Sequence, residues 1–279
     1  MEVTSQHFKD KVKVALKQPN LRIGLDRTLG LLTSRRRETI AQYPEYAEAR
    51  ATAERIKDHT LRHLDHYLEM FEKSAISSGA KVYWARTPKE ATDHIVAICK
   101  AHDAKSATRV KSMLGEEIGI GEALQEAGIE RVETDLAEHI IQLAGEPPSH
   151  IVVPAMHKTR EEVADLFKAR HADPHKSDDV AELVESARRE LRPKYVNADI
   201  GISGANFLIA DTGSIVTVTN EGNAELTTQL PKVHIVNVGI EKLVPSMRHC
   251  SVFLRLLARA ALGTEITQYT TFYNGPKRA

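Results

Sequence analysis

The sequence predicts a mixed α/β protein, a largely parallel sheet flanked by helices, preceded by an α-helical arm. Three observations carry this reading. From residue 80 onward short apolar runs alternate with helical patterns, the grammar of βαβ units. The apolar runs 206–210 and 214–219 are separated only by Asp211-Thr212-Gly213. A three-residue loop ending in glycine reads as a β-hairpin, which adds one antiparallel pair. The first 78 residues space their apolar side chains at three- and four-residue steps and show no strand pattern. The organisation that follows is a helical arm over 1–78, an α/β domain over 79–274, and the start of a linker over 275–279 at Gly275-Pro276.

Each element has a local reason. In the arm, 7–18 places Phe8, Val12, Ala15 and Leu16 on one stripe, and Pro19-Asn20 breaks it. A second helix covers 21–43. Pro44 opens a third, which runs to about 77 through Ala49, Ala53, Ile56, Leu64 and Phe71. Beyond Gly79, 81–85 reads as a strand, and Thr87 caps a helix over 89–102. Strands at 107–110 and 130–133 enclose a helix at 120–127 closed by Gly128. A helix at 136–143 leads to an apolar strand at 150–153. Thr159 and Glu162 then form a capping box for 160–170, and another helix extends from 177 or 178 to about 191. After the hairpin come a short helix (224–230), a strand (233–238), a long helix (247–262) and a last strand near 268–273.

Composition narrows the function. With 38 Lys+Arg against 38 Asp+Glu the formal charge is zero, which removes any global argument for nucleic acid or an anionic membrane as partner. No apolar run approaches the ~20 residues of a membrane-spanning helix. Glu2, Lys9, Asp10 and Lys11 interrupt any secretory core. Ser34-Arg35-Arg36-Arg37 is followed by residues too polar for a twin-arginine signal, and reads as a charged helix surface. The expected location is the cytoplasm. Cys99 and Cys250 are too few for a disulfide framework or for the four thiolates of a [4Fe–4S] cluster. Dinucleotide, phosphate-loop and nucleophile-elbow glycine motifs are absent.

Histidines invite a metal reading. His59, His63 and His66 share one helical stripe, but no glutamate follows the first as in a zinc-protease helix, and a semi-exposed helix face explains them better. His171, Asp173 and His175 read as a polar, proline-bearing connector. The stronger cluster lies at predicted strand ends, where open α/β sheets bind ligands. Lys111 follows one strand, His157 and Lys158 another, and Glu221 and Asn223 a third, while Asn206 and Thr212 flank the hairpin. Such a set suits a small carboxylate or acyl group. The competing reading is caps and surface charges, which accounts well for Asn223 and less well for Asn206 or the His157–Lys158 pair.

Several stretches carry a resemblance. They include Val110-Lys111-Ser112-Met113-Leu114-Gly115-Glu116-Glu117, Pro154-Ala155-Met156-His157-Lys158-Thr159-Arg160 and Asp199-Ile200-Gly201-Ile202-Ser203-Gly204-Ala205-Asn206. Thr219-Asn220-Glu221-Gly222-Asn223 and Leu230-Pro231-Lys232-Val233 belong with them. Together these resemble the iron–sulfur lactate utilization protein B (LutB) family over nearly the whole chain. The resemblance implies a LUD-domain fold, similar to the sugar-phosphate isomerase, CoA-transferase and formyltetrahydrofolate cyclo-ligase group. It also implies work with LutA- and LutC-like partners in oxidising L-lactate to pyruvate, with electrons carried by two [4Fe–4S] clusters. Relatives hold those clusters in a ferredoxin-like module beyond the Gly-Pro-Lys-Arg segment. No cluster ligand carries over to this chain, which is expected to be a fragment or a shortened form, colourless and redox-inactive, with no cofactor or metal of its own.

In this picture the chain docks partners and binds a small carboxylate such as lactate or pyruvate. Lys111, His157 and Lys158 orient the anion by charge-assisted hydrogen bonds, with Asn206, Thr212 and Asn223 nearby and Glu221 as base or network member. Two alternatives stand beside it. Glu221-Gly222-Asn223 follows a strand much as the catalytic glutamate of CoA transferases does, so Glu221 is a candidate acyl-transfer nucleophile. The other is a purely structural assembly domain.

Overall fold

A computed structural model of the chain describes residues 5–146, 153–173 and 176–277, with the backbone alone at 5 and 27–29. The chain begins with helices α1 (Phe8–Ala15), α2 (Pro19–Ala41), α3 (Tyr46–Arg62) and α4 (Leu64–Ser77). Next come α5 (Pro88–Ala101), β1 (Ser106–Arg109), α6 (Met113–Glu117), α7 (Ile120–Glu126) and β2 (Glu130–Glu133). They are followed by α8 (Leu136–Ala144), α9 (Arg160–Arg170), α10 (Val180–Val196) and β3 (Ile200–Ser203). The last part holds β4 (Phe207–Ile209), β5 (Ser214–Thr219), α11 (Asn223–Gln229), β6 (Val233–Val236), β7 (Leu243–Val244), α12 (Met247–Leu262) and β8 (Tyr269–Tyr273).

The molecule divides into two compact units. One comprises Met1–Thr28, Thr87–Ser203 and Leu226–Ile235, the other Leu29–Arg86, Gly204–Glu225 and Val236–Ala279. The class is the mixed α/β one the sequence predicts. Its strands form two four-stranded sheets, ordered β2-β1-β3-β6 and β7-β4-β5-β8, rather than one. The hairpin causes the split: β4 and β5 find their neighbours in the later strands β7 and β8.

In the first unit β1 pairs parallel with β2 and with β3. Ile200 and Ile202 alternate onto one face, where Ile95 and Cys99 of α5 and Ile120 and Leu124 of α7 cover them. The intervening Gly201 meets the carbonyl of Thr227, at a distance no β-carbon could occupy. A second apolar cluster joins Ile140 of α8, Ala164 and Phe167 of α9, and Leu183 and Ala187 of α10. Thr87, Ser112, Asp135 and Thr159 cap their helices through their side chains, the last in the predicted capping box. Gln142 of α8 runs its side-chain amide along β2, accepting from Glu133 N (3.1 Å) and donating to Arg131 O (2.7 Å).

In the second unit β4 and β5 form the predicted antiparallel hairpin. Phe207 and Ile209 face Cys250 and Phe253 of α12, while Leu208 and Ala210 face Phe71 and Ala75 of α4. Gly213 closes the hairpin at φ +68°, against the backbone of Ala75, where a side chain would have no room.

Three predicted elements differ. The long helix of the arm breaks at His63 (φ −123°, ψ 36°) into α3 and α4. The rings of His59, His63, His66 and Tyr67 pack together there, and His59 Nε2 lies 2.9 Å from Tyr67 Oη. Residues 81–85 form no strand. Val82 joins the α4 cluster and Trp84 Nε1 donates to Glu72, so a helix face takes the place of a strand partner. The strand predicted at 150–153 falls almost entirely outside the described residues. Among those residues no helix is long and apolar enough to cross a membrane.

Candidate functional site

In the first unit, β1 lies between β2, which follows it in the chain, and β3, which comes later. The carboxyl ends of β1 and β3 thus flank the point where the winding reverses, the usual ligand crevice of such sheets. A charged network sits there. Arg109 and Glu133, the last residues of β1 and β2, are register partners. Arg109 is only 2% exposed, so its charge must be met inside the protein. Its Nε donates to both Glu133 oxygens (3.0 and 3.2 Å), and its Nη2 lies 2.8 Å from Glu133 Oε1 and pairs also with Glu116 of α6. Its Nη1 is buried without a hydrogen-bond partner among the described residues, as is Oε2 of Glu138 in the first turn of α8.

Burial, reinforced by the Glu133 carboxylate, pushes the Glu138 carboxyl up to about 8, so it is protonated at neutral pH. Thr134 ties the strand ends together. Its Oγ1 donates to Arg109 O (2.8 Å), and its carbonyl accepts from Tyr195 Oη (3.3 Å). At the end of β3, Ser203 Oγ lies 2.7 Å from His234 Nε2, and burial holds that imidazole down to about 4. The site therefore pairs a guanidinium held by two carboxylates, its Nη1 still without a partner among the described residues, with a neutral carboxyl able to donate.

Of the residues selected from sequence, Lys111, His157 and Lys158 belong to this unit. Lys111 is half-buried in the β1–α6 loop. His157 and Lys158 converge on one carboxylate, that of Glu146: His157 Nε2 lies at 2.9 Å and Lys158 Nζ at 2.5 Å. These hydrogen bonds, Lys158's first, lower the Glu146 carboxyl below its ordinary value. An internal carboxylate thus occupies the pair.

Asn206, Thr212, Glu221 and Asn223 belong to the second unit. Asn206 Oδ1 accepts from Val218 N (2.7 Å), extending the hairpin ladder, which accounts for an amide beside an apolar strand. Glu221 is exposed in the turn after β5, Asn223 is buried at the start of α11, and Gly222 between them rests beside the Tyr269 ring. Because β4 and β5 are antiparallel, these three and Asn206 share one end of the sheet. Thr212 sits in the hairpin turn at the other end, its Oγ1 accepting from Ser214 N (3.4 Å).

The sequence reading missed Arg109, Glu116, Glu133 and Glu138. The available signal was charge inside two strands that must be buried on both faces. It also placed His171 in a polar connector, whereas His171 is buried. Its Nε2 lies 3.2 Å from His139 Nε2, its Nδ1 2.9 Å from Ser186 Oγ, and its ring stacks on Phe167 at 4.1 Å. Burial holds His139 neutral, down to about 4. His175 lies outside the described residues.

The cysteines do not suit an iron–sulfur cluster. Cys99 and Cys250 are each fully buried in an apolar core, and burial pushes both thiols up to about 11. They are therefore protonated, the wrong state for metal ligands.

The family described as LUD domain matches residues 68–279. Proteins named lactate utilization protein B are similar over 99% of the chain: 41% identical in Bacillus licheniformis, and 40% in Lysinibacillus sphaericus and in Bacillus subtilis. The chain spans 58% of the length of each of these relatives. A crystal structure of a DUF162 family protein from Deinococcus radiodurans is 15% identical, with a TM-score of 0.38 over 76% of this chain and 89% of that one.

Proposed function

Because the chain belongs to the LUD-domain family, we propose that it serves L-lactate utilization as the LUD portion of a lactate utilization protein B. The observation that carries this reading is 41% identity, extending over 99% of the chain, to a protein of that name. In this role the α/β units dock LutA- and LutC-like partners and bind a small carboxylate at the strand ends. Glu138, held neutral, donates its O–H to the anion while Lys111 supplies charge, and Arg109 is kept in place by Glu133 and Glu116. Electron transfer through [4Fe–4S] clusters falls to thiolates outside these residues, since Cys99 and Cys250 do not fit that task.

The test is a segment exchange. The matching region of the Bacillus subtilis lactate utilization protein B is replaced by residues 1–279, and growth on L-lactate is followed. Restored growth is expected; a stably accumulating chimaera that leaves cells unable to grow on L-lactate would overturn the assignment. Carboxylate binding is tested separately by calorimetry with L-lactate and pyruvate on the 279-residue chain. Lys111→Ala and Glu138→Ala both binding as the parent does would remove that part of the reading.

A further inference from the structure

A groove of about 340 Å³ lies in the second unit, between α12 and the segment leading to β8. Its volume is that of a small-ligand pocket. Arg255 and Arg259 stand one turn apart on α12, both over the ring of Tyr43, with guanidinium carbons 5.2 and 4.5 Å from its centroid. Neither guanidinium has a carboxylate partner among the described residues. Arg259 Nη1 is instead fixed by two backbone carbonyls, those of Arg255 (2.9 Å) and Glu265 (3.1 Å). Two like charges at i, i+4 repel each other, so a fold that holds both against one aromatic face leaves a focus of positive potential.

The rest of the groove extends it. Thr267 and Thr270 line it with hydroxyls 2.9 Å apart, and Leu254 and Ile266 provide apolar walls. Glu265 stands at the rim, its carboxylate in no ion pair among the described residues. The backbone of α2 at Arg35 and Arg36 packs on Gly263 at the end of α12, and Thr39 Oγ1 donates to Gly263 O (2.7 Å). The Arg35-Arg36-Arg37 run is thereby brought to the same end of the helix. Tyr43 Oη and Arg259 Nε are buried without hydrogen-bond partners among the described residues.

We infer that this groove binds a phosphoryl group, carried by a small phosphate monoester whose organic part rests on Leu254 and Ile266. Two guanidiniums offer charged donors to a tetrahedral oxyanion with three free oxygens, a better match than to a planar carboxylate; the Thr267 and Thr270 hydroxyls, bonded to each other and to Tyr269 O, line the groove without a proton to spare. The Glu265 carboxylate also lines the groove and opposes any anion there, so binding depends on both arginines together. This site shares no residue with the carboxylate reading above, so either can fail alone.

The experiment is thermal unfolding and calorimetry of the 279-residue chain with inorganic phosphate, phenyl phosphate, acetate and chloride at one ionic strength. A ligand that binds the native state raises Tm. Phosphate and phenyl phosphate are expected to raise Tm where acetate and chloride do not, with phenyl phosphate the tighter. Exposed Arg255→Gln is expected to weaken both by about tenfold or more, the worth of one charge-assisted hydrogen bond. Arg259→Gln is expected to do the same, and Arg248→Gln, at the other end of α12, to leave binding intact. Equal effects of phosphate and chloride, or unchanged phosphate binding in Arg255→Gln, overturn the inference.

Discussion

Glu133→Gln removes one charge from the network at the ends of β1 and β2 while keeping its shape. In the native protein Arg109 is 2% exposed and Glu133 takes three of its N–H···O contacts, at 2.8, 3.0 and 3.2 Å. The variant leaves Arg109 buried with Glu116 as its remaining ion-pair partner, and that side chain is 30% exposed. Losing one member of a buried pair costs ~3–5 kcal/mol. The surviving pair with Glu116 places the expected loss near the lower end, about 3 kcal/mol. For a protein of this size that lowers Tm by roughly 6–12 °C. The assay is urea unfolding by far-UV circular dichroism at pH 6, where Glu138 is protonated. The single tryptophan, Trp84, lies in the other unit, so its fluorescence serves as an internal comparison. In Arg109→Met/Glu133→Leu both charges go, and stability is expected within ~1 kcal/mol of the parent. A Glu133→Gln loss under ~1 kcal/mol, or a double variant no better than the single one, would show that Arg109 is not balanced by Glu133.

Four further outcomes are expected. Glu138 holds its proton up to about 8 in the folded chain against an ordinary 4.5, so the folded state binds more protons between those values. Stability should then fall as pH rises from 4.5 to 8, and Glu138→Gln should flatten that decline in urea midpoints measured across the range. His139 is the opposite case, held neutral down to about 4 from 6.5, so stability should be lost as pH falls through that window. His171→Ala strips partners from both His139 and Ser186 and opens a cavity beside Phe167, for an expected loss of ~2–4 kcal/mol in the same titration. Gly201→Ala drives a methyl group into the Thr227 carbonyl, and should cost at least ~1–3 kcal/mol, read as a lower Tm.

What the sequence made legible was local. Thr87 and Thr159 cap helices as the sequence indicates, because each side chain needs only its own next turn. The hairpin was equally legible, since Asp211-Thr212-Gly213 encodes its own turn. The partition of strands between two sheets was not. It depends on β4 pairing with Leu243–Val244, a two-residue strand too short to leave a pattern. The site was readable in half. Glu221, Asn223 and Lys111 could be placed at strand ends by counting, whereas the strand expected before the His157–Lys158 pair falls almost entirely outside the described residues. That Glu146 occupies this pair could not be read, because eleven and twelve residues separate them in the sequence. Arg109 and Glu133 were visible as charges in buried strands, yet their pairing required the parallel register of β1 and β2.

The side chain of Gln142 has a consequence for how this protein meets its neighbours. Among the described residues β2 is an outer strand, and outer strands invite another chain to add itself by backbone hydrogen bonding. The Gln142 amide already fills two of the positions such a visitor would use, the Glu133 N–H and the Arg131 carbonyl. One glutamine thus acts as a dummy strand, one residue long. Growth of this sheet by stacking copies is hindered at that margin, where a visiting strand would first have to displace the amide.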